Sequence, residues 1–179
     1  MSSLQLTESM TEPDNKLEKA REIFAGYEGG EDMPLAGYAG LLFVYNAALI
    51  AGWQAADKAG FELPEKVNYG DLILLGVAKH KLSRIITKDR VTSPLRAPFT
   101  EYIEPASESE VKEKVRGRGL QRAIGDLLIC PWCMNPWVAG ALALGFVFKP
   151  SATRFLTGIF SAVTIADFLH EASEAAKNK

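Results

Sequence analysis

The chain has 179 residues, a net charge of −2 and a pI of about 5.8. That length supports one domain with a substantial core. The charge balance supplies no global positive field to draw the chain to nucleic acid, and two cysteines do not make a disulfide framework. The mean hydropathy of +0.00 is low for a chain that is all membrane, but that average combines long uncharged runs with strongly charged stretches.

Residues 1–34 carry eight acidic and three basic side chains and read as a polar acidic arm, partly disordered. Within the arm, LEKAREIFAGY (Leu17 to Tyr27) has the apolar spacing of a short amphipathic helix. No basic segment leads into an apolar run, so no secretory signal peptide is read. Leu35 to Ala56 is different: 22 residues without a charge. A helix needs about 20 such residues to cross a hydrocarbon core. Tyr38 and Trp53 lie near its ends, where amphipathic rings favour the headgroup level. The other reading is a buried helix of a soluble bundle, which Asn46 and Gln54 permit.

A polar loop with Pro64 leads to a second predicted helix, about Tyr69 to Thr87. Its uncharged core, Leu72 to Ala78, has only seven residues before Lys79, His80, Lys81 and Arg84. It either crosses with its basic end snorkelling to the interface or lies in the interface. Crossing is favoured because the end of the helix, not its centre, carries the charge. Residues 88–122 form a charged connection with Pro94, Pro98 and Pro105. Within it, SESEVKEKVRGRGLQR reads as partly helical, with Glu108 and Glu110 four residues ahead of Lys112 and Lys114. RGRG at 116–119 is not flanked by a strand and suits contact with anionic headgroups.

Leu127 to Phe148 is a second run of 22 uncharged residues. It contains CPWCMNPW, with both cysteines. Asn135 and Pro136 read as a helix start, with Asn135 as the cap. Pro131 and Pro136 place an interruption at CPWC, packed on the other helices. Three readings compete for Cys130 and Cys133. They are small apolar residues, or a redox pair near a helix start, or half of a zinc site. The last lacks its second half, with only His80 and His170 as further ligands. A final apolar run, Phe155 to Ala166, reaches spanning length when extended to Leu169. Asp167, His170 and Glu171 then share a helix face, a metal or proton site or, more plainly, a charged helix end meeting water. There is no HExxH, P-loop or GxSxG, and no cofactor is called for.

The fold class is therefore all-α: a polytopic helical membrane protein with three to four membrane helices, one interrupted at CPWC. Its parts are the arm 1–34, a membrane domain 35–170 with the basic connection 79–122, and a polar tail 171–179. Of the 20 Lys and Arg residues, 11 fall within 79–122, so the connection is expected to be cytoplasmic at a bacterial inner membrane. Four spans place both termini on that side. Expected partners are the lipid bilayer, anionic headgroups at 79–122, and further copies or other membrane proteins, with no nucleic acid.

The order of KLSRIITKDRVTSPLRAPF, RGRG and GDLLICPWCMNPWVA resembles a bacterial and phage family of small membrane proteins. It is known as domain of unknown function 1360, and one branch is associated with sporulation. Arg84, Asp89, Pro94, Arg96, Cys130, Cys133 and Trp137 carry the resemblance, over roughly residues 70–170. It implies a membrane protein and no assigned activity. Arg84 and Arg96 bracket Asp89, so an ion pair within the connection is expected to hold it against the CPWC break. A structural or accessory role in a membrane assembly leads. A membrane thiol-disulfide oxidoreductase using Cys130 and Cys133, and a soluble helical protein, are the alternatives.

Overall fold

A computed structural model describes residue 27 and residues 33–62 and 68–177. Apart from Tyr27, Met33 and Pro34, the acidic arm and its expected Leu17 to Tyr27 helix lie outside the described residues. So do Pro64 and the last two residues of the tail. Among the described residues six α-helices follow in order: α1 (Leu35–Lys58), α2 (Tyr69–Thr87), α3 (Ser93–Arg96), α4 (Gly119–Ile129), α5 (Pro131–Phe148) and α6 (Pro150–Lys177). Between α3 and α4 lie two strands, β1 (Thr100–Pro105) and β2 (Val111–Val115).

Four long helices form the body. Side-chain pairs fix their directions. Along α1 and α5 the contacts advance together: Tyr45 meets Trp137, Leu49 meets Gly140, and Gly52 meets Leu144. These two helices are therefore parallel. Along α2 and α6, Asp71 meets Arg154, Leu74 meets Ser161, and Lys81 meets Asp167, so these are parallel as well. Gly145 of α5 meets Thr153 of α6 across Lys149, so these two run antiparallel and the four helices alternate up-down-up-down. α5 packs on α1, α2 and α6. The Leu35 end of α1, the Thr87 end of α2 and the Pro131 end of α5 lie at the connection, and α6 passes it at His170 and Glu171, which line a cleft with Ser107 and Ser109.

Three of the four, α1, α5 and α6, are long and apolar enough to cross a membrane. α2 has 19 residues, about 28 Å at the usual rise. It begins on Asn68, whose side chain accepts the Gly70 N–H at 2.8 Å and so caps the helix.

The connection departs from the all-α expectation. β1 and β2 pair antiparallel as a two-stranded sheet, with Thr100 opposite Val115 and Pro105 opposite Val111. The segment read as partly helical is mostly β2. Its Val111, Glu113 and Val115 alternate with Lys112 and Lys114, so one face packs and the other is solvated. The glutamates and lysines pair across strands rather than along a helix: Lys112 with Glu104 and Lys114 with Glu101, each at 2.9 Å. In RGRG, Gly117 (φ 78°) and Gly119 (φ 56°) take left-handed backbone and turn the chain into α4.

The interruption expected at CPWC falls on Cys130 alone. The helix start read at Asn135 and Pro136 lies five residues too late. Cys130 precedes a proline, which disfavours helical backbone there, and it is extended (φ −108°, ψ 103°). Pro131 then fits the first turn, where its missing N–H is no loss. Pro136 lies inside α5. Asn135 caps nothing, and its buried side-chain oxygen has no hydrogen-bond partner among the described residues.

Candidate functional site

The residues singled out by sequence gather at one end of the bundle, where the connection closes over α2, α5 and α6. Arg96 organises it. Placed by the short α3 that begins at Ser93-Pro94, its side chain is fully buried. Nε donates to Glu113 Oε2 at 2.5 Å. Nη1 donates to the Ile86 carbonyl at 2.8 Å and to Thr92 Oγ1 at 2.7 Å. Nη2 donates to the Asp89 carbonyl at 2.9 Å and to Ser93 Oγ at 3.1 Å. One guanidinium thus ties the end of α2, the turn after it, α3 and β2 into one piece. All five of its donors are used. Glu113, whose side chain is 5% exposed, neutralises the charge.

The ion pairs differ from those expected. Asp89 contributes its backbone carbonyl to Arg96, not its carboxylate. Arg84 pairs with Glu110, and Asp89 bridges Glu110 through the backbone. Lys114 lowers the Glu101 carboxyl below the usual carboxylate range, by its hydrogen bond first and its charge second.

A cleft of about 450 Å³ opens between the ends of α2 and α6 and the hairpin turn. Both histidines, His80 and His170, line it, together with Arg84, Asp89, Asp167 and Glu171. The face read from Asp167, His170 and Glu171 therefore lines a cavity wall, and Asp167 accepts a 2.9 Å ion pair from Lys81. The cysteines are not part of that lining. Among the described residues, no three His, Cys, Asp or Glu side chains gather as a metal site.

Cys130 and Cys133 lie at the start of α5, with their Cα atoms 5.2 Å apart and their sulfurs joined. Cys130 is half-buried and Cys133 exposed, so they do not behave as two buried apolar residues. Cys130 Sγ also accepts the Cys133 N–H at 3.2 Å, which makes it the cap of α5. Two turns on, the Trp137 ring meets Tyr45 at 5.2 Å between centroids. The Tyr45 hydroxyl donates to the Pro136 carbonyl at 3.3 Å.

The sequence reading passed over Glu113 and the Tyr38–Asp126 contact, in which the phenol donates at 2.7 Å and ties α1 to α4, and it set Glu110 against Lys114 on a helix rather than against Arg84. The alternation Val111, Glu113, Val115 was the signal for Glu113: it puts that carboxylate on the packed face of a strand.

Three comparisons with known proteins bear on this end of the molecule. The family described as "Protein of unknown function (DUF1360)" matches residues 74–173, from within α2 to near the end of α6. A Bacillus subtilis (strain 168) protein named "Sporulation protein YjcA" is 30% identical over 106 residues, 58% of this chain and 90% of that protein. Another from the same organism, "UPF0713 protein YngL", is 28% identical over 87 residues, 48% of this chain and 65% of that protein. No solved structure matches this chain.

Proposed function

This chain belongs to the DUF1360 family, and from that premise we propose that it is an integral membrane protein with a structural or accessory role in a membrane assembly. The observation that carries the reading is where its polar and apolar side chains lie. Thr153, Thr157, Ser161 and Thr164 of α6 and Ser83 and Thr87 of α2 are buried. Phe43 (74% exposed), Trp53 (62%) and Phe155 (71%) stand outside with Leu42, Ile50 and Ile159. Water would penalise so wide an apolar surface; lipid tails solvate it.

Small hydroxyl residues between helices are the packing expected in a bilayer, where hydrophobic burial gives no drive for helices to associate. The buried hydroxyls of α6 are largely satisfied within their own helix, Thr157 on the Thr153 carbonyl at 2.8 Å and Thr164 on the Phe160 carbonyl at 2.8 Å. Ser161 instead crosses to the Leu74 carbonyl of α2 at 3.1 Å.

On this reading α2 crosses too, as the fourth span, because it runs beside α6 from the Asp71–Arg154 pair to the Lys81–Asp167 pair. The connection then faces the cytoplasm, with Arg116 and Arg118 beside anionic headgroups at about 1 kcal/mol per basic residue. Its compact hairpin, held by Arg96, is the part presented to other proteins. The name of the Bacillus relative makes a sporulation membrane the first setting in which to look for such an assembly.

Alkaline carbonate washing followed by flotation tests the membrane half. The chain is expected to stay with the lipid. Release into the wash, or purification as a detergent-free monomer, restores the soluble alternative. Mild detergent extraction tests the assembly half: a particle larger than one 19.5 kDa chain with its micelle is expected, and a lone chain counts against it.

A further inference from the structure

We propose that Cys130 and Cys133 form an exchangeable disulfide that passes two electrons to and from a partner protein's dithiol. The inference stands on local geometry and holds whichever face of a membrane the site occupies. A disulfide that serves as a staple joins distant parts of a chain, and its stabilisation grows with the loop it closes. This one closes a loop of sequence separation 3 inside the first turn of a helix. As a staple it contributes little, which leaves its chemistry to be explained.

The surroundings suit exchange. Cys133 is exposed, so an incoming thiolate reaches it more readily than the half-buried Cys130. Trp132, between them and 82% exposed, supplies apolar surface for the partner's segment. Cys130 is at the N-terminus of the 18-residue α5, with its sulfur accepting the Cys133 N–H. That N–H and the helix dipole stabilise a thiolate there.

The step balances as follows. A partner thiolate attacks Cys133 Sγ, the Cys130–Cys133 bond breaks, and Cys130 leaves as a thiolate held by the Cys133 N–H. The partner's second thiolate then attacks its own sulfur in the mixed disulfide and releases Cys133. The two protons lost by the partner's thiols end on Cys130 and Cys133. The partner is oxidised by two electrons and this chain is reduced by two. The reverse sequence oxidises this chain.

The test uses the full-length protein in its membranes. It is equilibrated with reduced and oxidised glutathione at graded ratios, quenched in acid, denatured and labelled with a polyethylene-glycol maleimide. Both thiols are expected to appear together, in one two-electron step of about 30 mV per decade, without prior denaturation. A pair that stays reduced in oxidised glutathione overturns the proposal. So does a disulfide that yields to dithiothreitol only after unfolding. Brief exposure of the oxidised protein to reduced glutathione, acid quench and peptide mapping then locate the attacked sulfur. The glutathione adduct is expected on the exposed Cys133, about tenfold over Cys130. Equal adducts overturn that assignment.

Discussion

Arg96 is the residue on which the connection depends most. A buried guanidinium is tolerable only when its charge is neutralised and its donors are filled. Glu113 does the first, and four oxygens from α2, α3 and the turn between them do the second. Arg96→Met leaves Glu113 as a buried unpaired carboxylate and should cost about 3–5 kcal/mol. The effect is measured as a loss of thermal stability by circular dichroism in detergent. Arg96→Lys keeps the charge but cannot fill five acceptors from one ammonium, and should recover only part of that loss. Adding Glu113→Gln to Arg96→Met should give back stability, because the stranded charge goes with it. A double variant less stable than Arg96→Met would show that Glu113 is not the partner that matters. The motif order around Arg96 marked it in the sequence. Its acceptors were not legible, because two are the backbone carbonyls of Ile86 and Asp89 and the carboxylate, Glu113, reaches it only once β2 has folded back. The same gap explains Asp89: its identity suggested a carboxylate pair, whereas the fold uses its carbonyl.

At the scale of the element, the sequence spoke clearly where charge was absent. The uncharged run from Leu35 matches α1 closely, whereas the run Leu127–Phe148 takes in the end of α4 as well as all of α5. The connection was harder. Glutamates spaced from lysines by four residues support a helix, but two charged residues on alternate positions serve a strand equally well. Val111 and Val115, β-branched and on the same face as Glu113, decide for the strand. That strand packs on α4 so closely that a methyl group on Gly125 would lie 2.7 Å from the Phe99 carbonyl oxygen and 3.1 Å from Val115. Gly125→Ala should therefore part the hairpin from α4, with a loss of about 1–3 kcal/mol. Faster proteolysis at the exposed Ser107–Ser109 turn is the readout, and unchanged cleavage would deny the contact. Between α2 and α6 the prediction splits by size. Ser161→Ala removes one interhelical hydrogen bond, worth about 0.6 kcal/mol in a membrane protein. Ser161→Leu must push the helices apart and should cost about 1–3 kcal/mol.

For the whole molecule, the parallel pairs α1 with α5 and α2 with α6 make a claim that labelling can decide. If all four helices cross, the turn after α1 lies on one side of the membrane, and the hairpin and the end of α6 lie on the other. If α2 only rests in the interface, the turn after α1 and the hairpin share a side. Hydropathy leaves this open, because α2 has too short an uncharged core to meet the criterion that α1, α5 and α6 meet. Packing is more informative. The Asp71 end of α2 is joined to the Arg154 end of α6 by a bidentate pair, Nε and Nη2 to Asp71 at 2.8 and 2.7 Å. Lys81 and Asp167 pair at 2.9 Å towards the opposite ends. Two ties ten residues apart, about 15 Å at the usual rise, hold α2 alongside α6 rather than across it. In a Cys130→Ala, Cys133→Ala background, single cysteines at Glu62, Ser107 and Lys177 report the sides through a membrane-impermeant maleimide applied to intact cells. Glu62→Cys should label from outside, while Ser107→Cys and Lys177→Cys should label only after the membrane is opened, as the basic connection requires. Labelling of Glu62→Cys and Ser107→Cys from the same side would remove α2 from the bilayer. The polar seam on α6 would then face water rather than a fourth span.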